Sequence, residues 1–108
     1  MSVMDEDKVF NEAIRDTNLK TSTESKSGEF VAKTIIILNG LNQQATLQLQ
    51  GARDGVWLNI GSSFDVAAST NTYVTVSDYF PKYRLTAQCT LSPGSGTLEV
   101  WIIKARGV

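Results

Sequence analysis

The sequence predicts an all-β fold: an antiparallel β-sandwich of jelly-roll or immunoglobulin-like type, with about seven short strands and a short N-terminal helix or extended arm. Three observations predict this fold. From Glu29 onward, segments rich in β-branched residues alternate between apolar and polar positions. Turn-forming residues separate these segments at intervals of about 8–15 residues. No helical pattern of about 10–15 residues lies between them, which argues against a parallel βαβ sheet.

Each predicted strand combines β-forming composition with a turn signal near its end. The first closes on Asn39-Gly40, a dipeptide that favours tight turns. The second alternates strictly, so one of its faces is buried and the other is solvated. The predicted strands are, in chain order, FVAKTIIIL (30–38), ATLQLQ (45–50), VWLNIG (56–61), SFDVAA (63–68), NTYVTVSDYF (71–80), KYRLTAQCTL (82–91) and GTLEVWIIKA (96–105).

The first 28 residues differ from the rest in carrying much of the charge. Within residues 5–20, the apolar residues Val9, Phe10, Ala13 and Ile14 fall at positions i, i+1, i+4 and i+5. This spacing is typical of one narrow stripe on a helix. Acidic residues in the first turn favour a helix N-terminus. Because isolated helices below about 12–15 residues are marginal in water, this helix needs a surface to pack against.

The chain is therefore predicted to consist of an N-terminal arm and linker, residues 1–28, and a β-sandwich domain, residues 29–108. The Ser/Thr-rich segment after the helical stripe is typical of a linker or an extended arm. Two interpretations remain open: a partly disordered tail, or an arm that docks on a neighbouring subunit through Phe10 and Ile14. Under the second interpretation, Asp at both positions weakens assembly and leaves the thermal transition of the β domain intact.

Composition excludes several classes of function. A chain of 108 residues is one domain, and its net charge of −1 lacks the basic excess of a nucleic-acid binder. No apolar run approaches the roughly 20 residues that cross a bilayer, and the acidic start, which lacks an apolar segment, is not expected to act as a Sec signal peptide. The absence of histidine removes Ser–His and Cys–His catalysis and the common zinc sites. We expect a non-enzymatic protein that is made in the cytoplasm and uses no metal, cofactor or small-molecule substrate.

The charged loop around Arg53 and Asp54 is the first candidate for an active site, but it has the composition of a hairpin turn. Asp54 and the following glycine tolerate positive φ, and the flanking segments alternate as strands do. The other candidates are also assigned to structure. Asp65 and Asp78 are expected to be solvated loop carboxylates rather than a glycosidase pair. Cys89 lies on the inward face of its strand and is expected to be an inert buried thiol.

The last strand is apolar on both faces. Leu98, Val100 and Ile102 share one face, whereas Trp101 and Ile103 lie on the other. The segment TIIIL is two-sided in the same way. Such a strand is either central in a covered sheet or packs its outer face on another subunit. We therefore predict homo-oligomerisation, with Trp101 and Ile103 as contact residues.

The aromatic residues also allow a second interpretation, in which some of them bind a ligand. Most are expected to lie in the core, but Trp57, Tyr79 and Tyr83 together provide the composition of an aromatic platform for sugar rings. This alternative predicts a carbohydrate-binding or adhesin-like module. Alternation along its strand assigns Tyr83 to the core, which weakens the alternative.

Residues 38–104 resemble a small β-sandwich module of tailed-phage and prophage virion proteins. The resemblance rests on a turn with Asn, an alternating strand ending in QG and DG, and the pieces W..IG, VAA.T..Y, DYFPKYR and SGTL.V. It implies a non-enzymatic virion structural protein: a capsid decoration protein, a head–tail connector or a tail-associated protein. Such proteins assemble as homo-oligomers on a symmetric lattice of other virion proteins, where many weak contacts act together. No catalytic residue is implied, and the arm departs from the pattern.

Overall fold

The computed structural model describes residues 3–26, 32–78 and 80–106, which contain ten β-strands and no helix. The seven strands predicted from residue 30 onward correspond to β4–β10, and three further strands precede them. The strands are β1 (Val3–Glu12), β2 (Lys20–Thr21), β3 (Ser25–Lys26), β4 (Ala32–Asn39), β5 (Ala45–Arg53), β6 (Val56–Asn59), β7 (Phe64–Val66), β8 (Thr70–Val76), β9 (Lys82–Cys89) and β10 (Leu98–Arg106).

The strands form two antiparallel sheets. Sheet A has the order β1-β10-β4-β8, and sheet B has the order β2-β9-β5-β6, with β3 also paired to β9 and β7 to β5. Side chains from both sheets meet in a single hydrophobic cluster. The all-β prediction and the antiparallel pairing are therefore confirmed.

Strict alternation determines which side chains enter this cluster. In β4, Ile35 and Ile37 are buried, whereas the intervening Ile36 and the following Leu38 are half-exposed on the outer face. The same period of two buries one set of residues in β5 and β9. Because sheet A and sheet B each turn one such set inward, the domain has one core and two outer faces.

The helix predicted near the N-terminus is wrong, because the segment forms β1 at the edge of sheet A. A β-bulge causes the misleading pattern. The pairing with β10 runs Lys8↔Trp101 and then Phe10↔Val100, so Val9 is the extra residue. A bulge turns consecutive side chains to the same side of a strand, and Val9 and Phe10 are both buried.

The rest of the N-terminal segment packs along sheet B instead of extending away as an arm. The bulge carbonyl of Val9 accepts hydrogen bonds from the backbone N–H and the hydroxyl of Thr23. Ser22 donates its N–H to the carbonyl of Leu85, and its hydroxyl accepts from the Leu85 N–H. Ile14 enters the core beyond the end of β1. The described part of residues 1–28 thus contributes to both sheets.

The predicted turn signal Asn39-Gly40 correctly marks the end of β4, and Asn39 has an additional structural role. Asn39 is fully buried at the end of β4, where its amide donates to the carbonyls of Val66 and Ala67, each at 3.1 Å. Its side-chain oxygen accepts from the N–H of Leu41. The residue therefore joins the end of sheet A to the loop that follows β7.

Candidate functional site

The outer face of sheet A carries an apolar surface, which we call the apolar face: Ile36, Leu38, Tyr73, Trp101 and Ile103. Strand register brings these residues together. One row across the sheet runs Lys8–Trp101–Ile36–Tyr73, and the next runs Glu6–Ile103–Thr34–Thr75. Directly opposed side chains lie about 5 Å apart within a row. Leu38 pairs with Glu99 in a third row and extends the surface on the other side of the Trp101–Ile36 row.

The apolar face is accessible. Tyr73 is 67% exposed, and the other four residues are half-exposed. Four of the five, together with Glu6, line a shallow depression of about 260 Å³. Contiguous apolar groups on the outer face of a sheet, bordered here by Glu6 and Lys8, are typical of contact sites.

Trp101 is held at the centre of this face by polar neighbours. Its indole N–H donates to Glu99 Oε2 at 2.8 Å, and Lys8 Nζ lies 5.0 Å from the ring centroid. Lys8 also pairs with Glu99 Oε1 at 3.4 Å. The hydrogen bond from Trp101, supported by that from Lys8 and its charge, lowers the pKa of Glu99 although desolvation raises it. The carboxylate thus stays charged and keeps the indole in one orientation.

Two of the four predicted contact residues are placed on this surface and two are not. Trp101 and Ile103 lie on the apolar face. Phe10 is only 6% exposed and Ile14 only 2%, because the bulge and the loop after β1 turn them into the core. A neighbouring subunit cannot reach them, so the docking role assigned to these two residues is corrected.

The predicted three-ring platform does not form. Tyr83 is buried, 1% exposed, in the core below Lys33, whose Nζ lies 5.3 Å from the ring. Tyr79 lies outside the described residues. Trp57 is half-exposed on the outer face of sheet B, where the guanidinium of Arg84 stacks over its ring at 4.1 Å.

The loop at Arg53 and Asp54 is a turn, as predicted. Asp54 and Gly55 have φ of 53° and 78°, which suits the two central positions of a type I′ hairpin between β5 and β6. The two charged groups lie 3.9 Å apart and are almost fully exposed, so the pair is solvated. Cys89 is buried as expected, and burial raises the pKa of its thiol.

Sequence reasoning missed the surface roles of Tyr73 and Arg84. The alternation of β8 could have assigned Tyr73 to the face opposite Val74 and Val76. The stacking of Arg84 on Trp57 joins residues from different strands, and no local pattern predicts it. Within the described ranges, no group of acidic residues or cysteine has the geometry to hold a metal ion.

Comparisons with known proteins inform the fold. No family model matches the chain, and no curated protein matches it. Among solved structures, the crystal structure of PirA is similar, with a TM-score of 0.52 and 14% sequence identity, over 97% of this chain and 93% of that one. At this identity the likeness concerns the fold alone. In the described parts of the chain there is no helix long and apolar enough to cross a membrane.

Proposed function

We propose that this protein is a non-enzymatic assembly protein that forms homo-oligomers through the apolar face of sheet A. The observation that supports the proposal most directly is the row Trp101–Ile36–Tyr73, three large apolar side chains from adjacent strands on an exposed sheet face. Removing such groups from water is favourable by about 25 cal/mol per Å². A polar outer face would lack this driving force.

We infer that the occupant of the apolar face is a second copy of the chain. In a face-to-face pair related by a two-fold axis parallel to the strands, β1 of one copy lies over β8 of the other, and β10 lies over β4. This match places Trp101 over Ile36, a large group over a smaller one, twice. It also places Lys8 over the exposed ring of Tyr73, where a cation–π contact contributes about 0.5–2 kcal/mol.

The charges around the face support a self-complementary contact. Lys8 and Glu99 neutralise each other within one copy, so two copies do not repel each other there. Thr34 and Thr75 continue the outer surface with neutral groups, and Glu6 at the end of the same row lies over Thr75 of the second copy, not over another carboxylate. A face with a large excess of one charge would instead disfavour a second copy.

The sheet order further supports a jelly-roll form of the proposed sandwich over an immunoglobulin-like one. If the short pairs β2/β3 and β6/β7 each count as one strand, the described residues form eight strand units. Sheet A then has the order 1-8-3-6 and sheet B the order 2-7-4-5. This alternation between sheets is the winding of a double Greek key.

The setting we propose is the virion of a tailed phage, with other virion proteins as partners. It is supported by the sequence resemblance over residues 38–104. In a symmetric lattice, one weak face-to-face contact repeated many times yields tight overall attachment. Mass spectrometry of purified phage particles from cells that carry the gene tests this setting. Peptides of this chain in the particles support it, and their absence contradicts it.

The assembly itself is tested by light scattering coupled to gel filtration. The wild-type protein is expected at twice the 11.8 kDa of one chain, or a higher even multiple. The double variant Ile36→Glu/Tyr73→Glu places charges on the face and is expected to be monomeric with an unchanged fold by circular dichroism. Leu91→Glu is the matched control, because Leu91 is 63% exposed but lies in the loop after β9. A monomeric wild type, or a double variant of wild-type mass, contradicts the proposal.

A further inference from the structure

The outer face of sheet B differs from the apolar face in being polar. A row across this sheet runs Asn59–Gln50–Arg84, and its side chains are joined by hydrogen bonds. Arg84 Nε donates to Gln50 Oε1 at 2.8 Å, and Gln50 Nε2 donates to Asn59 Oδ1 at 2.9 Å. These planar groups hold one another in place, because each uses part of its hydrogen-bonding capacity on its neighbour.

Trp57 lies beside this row and is oriented by it. Its ring carries the stacked guanidinium of Arg84, which is itself fixed by Gln50. A stacked, hydrogen-bonded arginine limits the motion of an indole far more than a lysine does. The ring is therefore set before any ligand arrives, which lowers the entropic cost of binding.

A pocket of about 220 Å³ opens against Trp57 at the end of the β5–β6 hairpin. Its apolar lining consists of the indole, Ala52 and Pro81, and Arg84 does not line it. Trp57 thus takes part in both features, since it lines the pocket and carries the stacked guanidinium. It is smaller than the roughly 300–1,000 Å³ of a typical drug-sized site, so it fits a single small ring.

The rim of the pocket carries hydrogen-bonding groups of both kinds. Glu24 and Asp54 provide carboxylate acceptors, and Lys82 provides an ammonium donor that pairs with Glu24 at 3.6 Å. An aromatic wall with acceptors and a donor at its edge suits a ligand with an apolar face and hydroxyl groups around its rim. A pyranose ring has this form: its C–H groups contact the indole and its vicinal hydroxyls donate to carboxylates.

From this arrangement we propose that the pocket at Trp57 binds a neutral saccharide. The two carboxylates outnumber the one amine, so uronic and sulfated sugars are disfavoured by charge. The remaining N–H groups of Gln50 and Asn59 continue along the sheet, where a second sugar unit of an oligosaccharide lies. The site is independent of assembly, because it is on the outer face of the other sheet.

The test is a titration followed by ¹H–¹⁵N correlation spectra of the two indole N–H groups, since the chain has two tryptophans. The probes are the methyl glycosides of glucose, galactose, mannose and N-acetylglucosamine, with heparin as a polyanion. We expect at least one neutral glycoside to shift the Trp57 resonance saturably and to leave that of Trp101 in place. Asp54→Asn, which tolerates the positive φ, is expected to weaken binding about tenfold by removing a charged acceptor.

Two further variants locate the site. Trp57→Ala is expected to abolish binding, measured calorimetrically because its indole signal is lost. Leu58→Ala, a change at the exposed neighbour on the same strand, is expected to bind as the wild type does. The proposal is overturned by the absence of a saturable shift with every neutral glycoside, by a response to heparin alone, or by a shift confined to Trp101. None of these outcomes bears on the oligomeric mass, so the two proposals fail separately.

Discussion

Replacing Asp7 by Asn is predicted to destabilise the fold by removing a link between the two sheets. Asp7 on β1 pairs with Lys104 of β10 at 2.8 Å and accepts a hydrogen bond from Ser25 of β3 at 2.7 Å. Lys104 is buried, with a side chain only 6% exposed, whereas that of Asp7 is 41% exposed. Hydrogen bonds to charged groups contribute about 1.5–3 kcal/mol each. Water competes at the half-exposed carboxylate, and Lys104 retains its bond to the Lys26 carbonyl, so we expect a loss of about 2 kcal/mol in total.

The pH dependence distinguishes this ion pair from simple packing. Burial raises the pKa of Asp7, but the hydrogen bonds from Lys104 and Ser25 and the charge of Lys104 together lower it below 3.8. A lowered folded-state pKa contributes stability that is present above the unfolded value and is lost as the pH falls through the folded value. Urea midpoints of the wild type and Asp7→Asn should therefore differ at about pH 7 and converge at an acidic pH, as the pH falls from 3.8 through the lowered folded-state pKa. Glu12→Gln, an exposed change on the same strand, is the control. An equal difference at both pH values would refute the reasoning.

Two further predictions concern buried groups. Phe10→Ala should lower the free energy of unfolding by about 3–5 kcal/mol, because it empties a core position and not a docking surface; a urea midpoint that stays near the wild-type value contradicts this. Burial lowers the pKa of Lys33, although the charge of Asp78 partly offsets this effect. The unfolded state then binds more protons just below pH 10.5, so wild-type stability rises with pH across that window. Lys33→Met should lose this rise in stability, as measured by denaturant midpoints near neutral pH and near pH 10.5. If the rise persists in the variant, a group other than Lys33 causes it.

Much of the fold could be predicted because alternation is a local property. The seven predicted strands correspond to β4–β10, since a half-buried strand carries its apolar residues at every second position. The same rule correctly assigned Tyr83 to the core. It also placed Trp101 and Ile103 on the face opposite Leu98 and Val100, where the structure has them.

The N-terminal segment could not be predicted in this way because a bulge interrupts the alternation. Val9 and Phe10 are consecutive and both buried, and Ile14 follows beyond the end of the strand. The resulting spacing is the same as that of a helical stripe. Only the pairing of β1 with β10, a contact between opposite ends of the chain, distinguishes the two structures. The high charge of this segment was a second source of error. Charged residues are normally solvated, whereas Asp7 is paired with the buried Lys104.

The two candidate surfaces could not be predicted from the sequence for a different reason. The apolar face takes residues from β4, β8 and β10, and the pocket at Trp57 takes them from β5, β6, β9 and the loop before β3. Each strand contributes one or two side chains with no unusual sequence signal. Strand order and register bring them together, and both depend on contacts between distant segments.

The opposite character of the two outer faces has a functional consequence if both proposals hold. Pairing two copies through the apolar face leaves both Trp57 pockets exposed, because each lies on the sheet that faces away from the contact. A two-fold axis then directs the two pockets to opposite sides of the dimer. Pockets that face opposite ways cannot bind one flat surface together, but they can join two separate particles that carry the ligand, and such cross-linking needs both pockets in one assembly. The dimer-breaking variant Ile36→Glu/Tyr73→Glu should therefore keep the affinity for a single methyl glycoside and lose the ability to agglutinate beads coated with the same sugar. Equal agglutination by the wild type and the variant would contradict this link between the two faces.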